Sequence, residues 1–96
     1  MKKATRFDVV DYLDSNEAII EYINAALEEG DSTLIAAALG DVARAKGMTQ
    51  LSRETGVSRD GLYKALSPTG NPSISTFQSV ISALGLQMVV KPIEKA

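Results

Sequence analysis

Cysteine and histidine are both absent from this 96-residue chain. Their absence removes disulfides, thiolate chemistry, imidazole bases and the usual zinc ligands together. The adjacent carboxylates Glu28 and Glu29 fall at the end of a helical pattern, with no apolar pocket or partner base in view. The composition therefore argues against an enzyme, and no metal or cofactor is expected. Long apolar runs are missing too: none approaches membrane-spanning length, and the opening Met1-Lys2-Lys3-Ala4-Thr5-Arg6 is not followed by an apolar signal core. A cytoplasmic location is the expectation. The length suits one modest core rather than a cleft between two lobes, so a single domain over 1–96 should make its partner contacts on its surface.

What is present is unevenly charged. The formal net charge is -2, which taken alone argues against a nucleic-acid partner. Residues 44–64 nevertheless hold five cations (Arg44, Lys46, Arg53, Arg59, Lys64) against two anions, a net of +3. Residues 1–31 hold three cations against eight anions, a net of -5. Two such halves look built for different partners.

Residues 48–66 organise the chain. Two short helical patterns, uninterrupted by proline, meet at Gly56-Val57-Ser58, which is the grammar of a helix-turn-helix. Thr49 reads as the N-cap of the first helix, with Leu51 and Thr55 inward and Arg53 and Glu54 outward. Gly56 stops that helix at a position that calls for positive φ. Val57 plugs the angle between the helices, and Ser58 caps the second, whose inner face is Leu62, Ala65 and Leu66. Ser58, Arg59, Asp60, Tyr63 and Lys64 are then left outside, where a major groove would lie. The plain alternative is an ordinary helical hairpin in a small bundle.

Around this motif, residues 2–13 suggest an ordered arm. Asp14 followed by Glu17 fits a capping box, and Ala18, Ile19, Ile20, Ile23, Ala26 and Leu27 form a helical stripe ended by Gly30. Asp31 can cap the next helix, in which Leu34, Ile35, Ala38, Leu39, Val42 and Ala43 recur until Gly47. After the motif, Ser67-Pro68-Thr69-Gly70-Asn71-Pro72 must be a loop. Ser73 or Ser75 can cap a last helix carrying Ile74, Phe77, Val80, Ile81 and Leu84, terminated by Gly85. Residues 86–93 alternate in character and hold Val89-Val90, which predicts a short strand. A lone strand is unstable, so it should pair with a second copy or with residues 7–12. No internal repeat, low-complexity tract or linker is present.

On the outer face, Arg59 and Lys64 can bond guanine acceptors or phosphates, and Tyr63 can donate to a phosphate or touch a thymine methyl. Asp60 can accept from cytosine N4 or stabilise its helix N-terminus, while Ser58 can reach a backbone oxygen. Thr49 and Gln50 sit where a first helix meets the sugar-phosphate backbone. The acidic N-terminal region reads as a solvated face or as a docking surface for a basic protein.

Phe7-Asp8, Tyr12-Leu13-Asp14, Ala25-Ala26-Leu27-Glu28-Glu29-Gly30-Asp31 and the run from Leu34 through Met48 resemble the addiction-module antidote family, HigA-like antitoxins with a lambda-repressor-like domain. The resemblance continues through Ser58-Arg59-Asp60-Gly61-Leu62-Tyr63-Lys64-Ala65-Leu66-Ser67, Gly70-Asn71-Pro72-Ser73 and Ala83-Leu84-Gly85-Leu86, and so covers almost the whole chain in order. It implies an all-α, lambda-repressor-like helix-turn-helix bundle of about five helices (residues 31–85), preceded by an arm and acidic helix (1–30) and followed by a short C-terminal β-strand and tail (86–96). It also implies a homodimer that binds double-stranded operator DNA, represses its own operon and neutralises a HigB/RelE-like toxin. By position, the recognition-helix matches are Ser58, Arg59, Asp60, Tyr63 and Lys64. One departure stands out: many such repressors carry a phosphate-gripping glutamine eight residues before the turn glycine, whereas Gln50 lies six before Gly56 and Met48 takes the aligned place. Two rival readings are a stand-alone phage- or plasmid-type repressor without a toxin, and a pure protein-inhibitor module, which the acidic pI favours.

Overall fold

Sequence punctuation accounts for most helix boundaries in the computed structural model, which describes residues 9–94. Those residues form a single turn, α1 (Val9–Tyr12), and five longer helices: α2 (Asn16–Glu29), α3 (Ser32–Lys46), α4 (Met48–Thr55), α5 (Arg59–Ala65) and α6 (Ile74–Ala83). Gly30 enters the left-handed region at φ 75° and ends α2, and Asp31 then accepts from the Thr33 backbone N–H at 2.9 Å to start α3. Gly56, at φ 78°, ends α4 with its N–H donating to the Ser52 carbonyl. Ser58 caps α5 by accepting from Gly61 N–H at 3.0 Å, and Ser73 caps α6 by accepting from Thr76 N–H at 3.1 Å.

The core joins these helices through their inward stripes. Leu39 and Val42 of α3, Leu51 of α4, Leu62 of α5 and Val80 of α6 are completely enclosed. Leu13 and Ile23 close the cluster from the N-terminal side, and Leu66, Ile81 and Leu84 from the C-terminal side. Helix α3 is the spine: it packs on α1, α2, α4 and α5, while α6 rests on α4. At Gly40 the approach is so close that a Cβ would lie 2.1 Å from the Leu66 carbonyl oxygen, so only glycine lets the end of α5 settle against α3.

Five expectations need correction or restriction. Thr49 is not the N-cap of α4: the helix begins one residue earlier at Met48, whose side chain is buried, and Gly47 serves as cap with no side-chain hydrogen bond. Gly47 already ends α3 by donating to the Ala43 carbonyl, and its own carbonyl receives Leu51 N–H at 3.0 Å, so one glycine serves both helices. The cap of α2 is Ser15, accepting from Ala18 N–H at 3.1 Å, rather than Asp14. The N3 position of a capping box is thus Ala18, and Glu17 falls one place short.

The predicted C-terminal strand is not formed. Residues 86–94 contain neither helix nor strand, and there is no strand among the described residues. A strand needs a neighbouring edge, and the suggested partner within the chain turns helical at Val9–Tyr12. The rest of that suggested arm, like residues 95–96, lies outside the described residues. Ile74, counted in the inner stripe of α6, is 68% exposed, because it is the first residue of the helix and precedes the packed turns.

Candidate nucleic-acid interface

The turn between α4 and α5 is held by one hydroxyl. Thr55 Oγ1 donates to the Leu51 carbonyl at 2.7 Å and accepts from Val57 N–H at 3.2 Å, tying the end of α4 to the turn residue that packs on the core. Leu62 and Leu66 are drawn inward, and helical geometry then turns Arg59, Asp60, Tyr63 and Lys64 outward, where all four are exposed. Ser58 is exposed as well, with its oxygen engaged in capping.

On this face the Arg59 guanidinium carbon stands 5.9 Å from the centre of the Tyr63 ring, one helical turn further on. Such cation–π contacts at exposed sites are worth about 0.5–1 kcal/mol. That is enough to bias the guanidinium along the helix face without burying it, leaving its donors available. Asp60 lies in the first turn of α5, where a carboxylate is favourable to the helix dipole.

Thr49 and Gln50 are exposed on the first turn of α4. The Gln50 amide nitrogen donates to the Glu54 carboxylate at 3.1 Å on its own helix. An anion approaching Gln50 would meet that carboxylate, which sets Gln50 apart from Thr49, Ser58, Arg59, Tyr63 and Lys64, while Asp60 is itself an anion.

A polar bridge that the sequence reading did not single out joins α2 to α3. Tyr22 donates its hydroxyl proton to Asp41 Oδ2 at 2.6 Å, and Arg44 donates to Asp41 Oδ1 at 2.6 Å. Burial, followed by the bond to the Asp41 carboxylate, pushes the Tyr22 hydroxyl up to about 12. The i,i+3 spacing of Asp41 and Arg44 was legible; the arrival of Tyr22, nineteen residues before Asp41, was not. The bridge also changes the charge of the basic segment. Arg44 is paired with an anion just outside residues 44–64, and over residues 41–64 five cations face three anions, a net of +2. Asp41 and Arg44 border a shallow cavity of about 240 Å³ that reaches Tyr63 and Ser67, behind the outer face of α5. No group of acidic side chains suited to a metal ion occurs among the described residues, and no described helix is long and apolar enough to cross a membrane.

No solved structure matches the chain. An uncharacterized protein of Haemophilus influenzae is 52% identical over 85 residues, covering 88% of each chain. Residues 3–92 match the family model described as "Probable addiction module antidote protein". With nearly the whole chain inside that match, the protein belongs to the addiction module antidote family.

Proposed function

We propose that the protein is a DNA-binding antitoxin of the HigA-like, lambda-repressor-like kind. It binds operator DNA as a homodimer, represses its own operon, and neutralises a co-encoded HigB/RelE-like toxin in the cytoplasm. It acts by stoichiometric binding and not as an enzyme. The observation that carries the reading is the outer face of α5: Arg59 lies over the Tyr63 ring with Lys64 beside it, on a short helix whose inner face, Leu62, is anchored in the core. A helix of this kind, entering a major groove by its N-terminal residues, would read bases with Arg59. Lys64, Tyr63, Ser58 and Thr49 would serve mainly to hold phosphates. One such helix reads few base pairs, so two copies would be needed to span half-sites about 34–36 Å apart.

The apolar side chains of residues 86–94 fit the dimer contact. Val89, Val90 and Ile93 are all strongly exposed, with no strand partner among the described residues. Deleting residues 86–96 should yield a monomer in sedimentation and weaken operator binding; a deletion variant that still sediments as a dimer would remove this segment from the interface.

Titrating the protein into a labelled fragment of its own promoter tests the DNA reading. Tight binding that falls steeply with salt is expected, since each neutralised phosphate adds about 0.9 to the logarithmic salt slope. Binding no tighter than to unrelated DNA would overturn it. Rescue of growth when the chain is expressed with the product of the adjacent reading frame tests the antitoxin half. A second reading, a protein inhibitor without DNA binding, is favoured by two facts: Asp41 offsets Arg44, and Glu54 occupies Gln50. The same titration decides between them.

A further inference from the structure

Helix α2 carries Glu17, Glu21, Glu28 and Glu29 and no cation. Glu28 and Glu29 sit in its last turn, where the negative end of the helix dipole disfavours carboxylates, and Glu17 and Glu21 are like charges four apart. None of the four has a cationic partner among the described residues. Glu17, in the first turn, suits the helix dipole, but the other three carboxylates do not serve the helix's own stability. The same outer surface carries a second feature that composition did not show: Ile20 is 40% exposed and Leu27 39% exposed, although Ile23 and Ala26 between them are buried.

At about 100° per residue, Ile20, Asn24 and Leu27 form one lane along the outside of α2, and Glu17, Glu21 and Glu28 form a parallel lane beside it. The two lanes together span about 120° of the helix and about 16 Å of its length, from Glu17 to Glu28. A lane with two apolar side chains, Ile20 and Leu27, separated by Asn24 and flanked on one side by unpaired carboxylates is the form of a helix face that seats in a partner's groove, with apolar anchors and a charged rim.

We infer that this face of α2 is the docking surface for a basic protein, its apolar lane entering a groove rimmed by lysine and arginine. The inference rests on the antitoxin reading above and names the surface that meets the toxin. Charge selects the occupant. The segment through Asp31 bears a net of -5, and at a Debye length of about 8 Å close contacts with phosphates would be repulsive, whereas a cationic protein would be drawn in. A second copy of this chain would set carboxylate lane against carboxylate lane.

The test uses the full chain and the purified product of the adjacent reading frame. Two variants, Glu17→Gln/Glu21→Gln/Glu28→Gln and Ile20→Ser/Leu27→Ser, are compared with the parent by stopped-flow association, dissociation rate, operator titration and circular dichroism. The first should slow association about tenfold at low salt and much less at high salt. The second should raise the dissociation rate at least about tenfold. Operator affinity and helix content should be unchanged in both. If the parent binds operator but not the neighbouring protein, the antitoxin reading itself fails, and this surface with it. If the parent binds the neighbour and both variants bind it equally well, the toxin reading stands and the α2 surface is overturned. A change from dimer to monomer in the Ile20→Ser/Leu27→Ser variant would also overturn the inference, by assigning the face to a second copy.

Discussion

Helices α2 and α5 are both amphipathic, both anchored on α3, and opposite in what they offer outward. Helix α2 presents four carboxylates with two half-exposed apolar side chains; α5 presents Arg59, Tyr63 and Lys64 with a single anion, Asp60. Net charge averages the two away, yet fields from exposed groups decay over about 8 Å at physiological salt, so the charge of one surface does not cancel that of the other at close range. Between them stands the Tyr22–Asp41–Arg44 bridge, which touches α2 at one end and the cavity behind α5 at the other.

The substitution expected to do most damage to this comparison is Gly40→Ala. Its methyl group would collide with the Leu66 carbonyl, and backbone cannot yield as a flexible side chain can. The end of α5 should be levered away from α3 at a cost of about 3 kcal/mol, toward the upper end of overpacking effects. Urea unfolding should show the loss, and operator binding should fall further than toxin binding because the displaced helix belongs to the basic side. Equal losses would mean that the two surfaces are not separable.

Arg59→Ala should act on one side alone. Losing a bidentate base contact would weaken operator binding by about 1–3 kcal/mol and relax sequence preference. Arg59 is exposed, so the unfolding midpoint should hardly move. Unchanged affinity in a correctly folded variant would exclude this face as the reading surface.

The smallest effect is expected at the bridge. Tyr22→Phe removes a hydrogen bond to a carboxylate at a partly exposed site, and should cost about 1 kcal/mol of stability. The sign with pH follows from the raised value. The folded state holds the Tyr22 proton to about 12, while the unfolded chain releases it near 10. The contribution is therefore complete below pH 10 and is lost as pH rises through about 12. An ultraviolet titration should show a tyrosinate transition near pH 12 that disappears in Tyr22→Phe.

Where local chemistry suffices, reading the chain worked. Gly30, Gly56, Asp31, Ser58 and Ser73 each mark a boundary, because caps and left-handed glycines act within four residues of themselves. The cap of α4 lies two residues before Thr49 and that of α2 one residue after Asp14, since burial of Met48 and the hydroxyl of Ser15 outweighed equally plausible neighbours. The outward placement of Ser58, Arg59, Asp60, Tyr63 and Lys64 was legible, because Leu62 and Leu66 leave α5 only one orientation. The engagement of Gln50 by Glu54 has the i,i+4 spacing of a helix-surface pair, but spacing alone does not decide between that bond and an outward amide.

From the order of residues alone came the helices from α2 to α6, the turn at Gly56-Val57-Ser58, and the division into an acidic and a basic half. These follow from period, punctuation and charge, which are properties of neighbours along the chain. Only the tertiary structure decided that α3 is the spine, that Gly40 must lack a side chain, that Tyr22 reaches Asp41, and that Ile20 and Leu27 stay half exposed beside their carboxylates. It also left residues 86–94 without strand pairing among the described residues. Each of these depends on which distant segment arrives to cover a surface, and that is set by packing across the whole bundle rather than by any local preference.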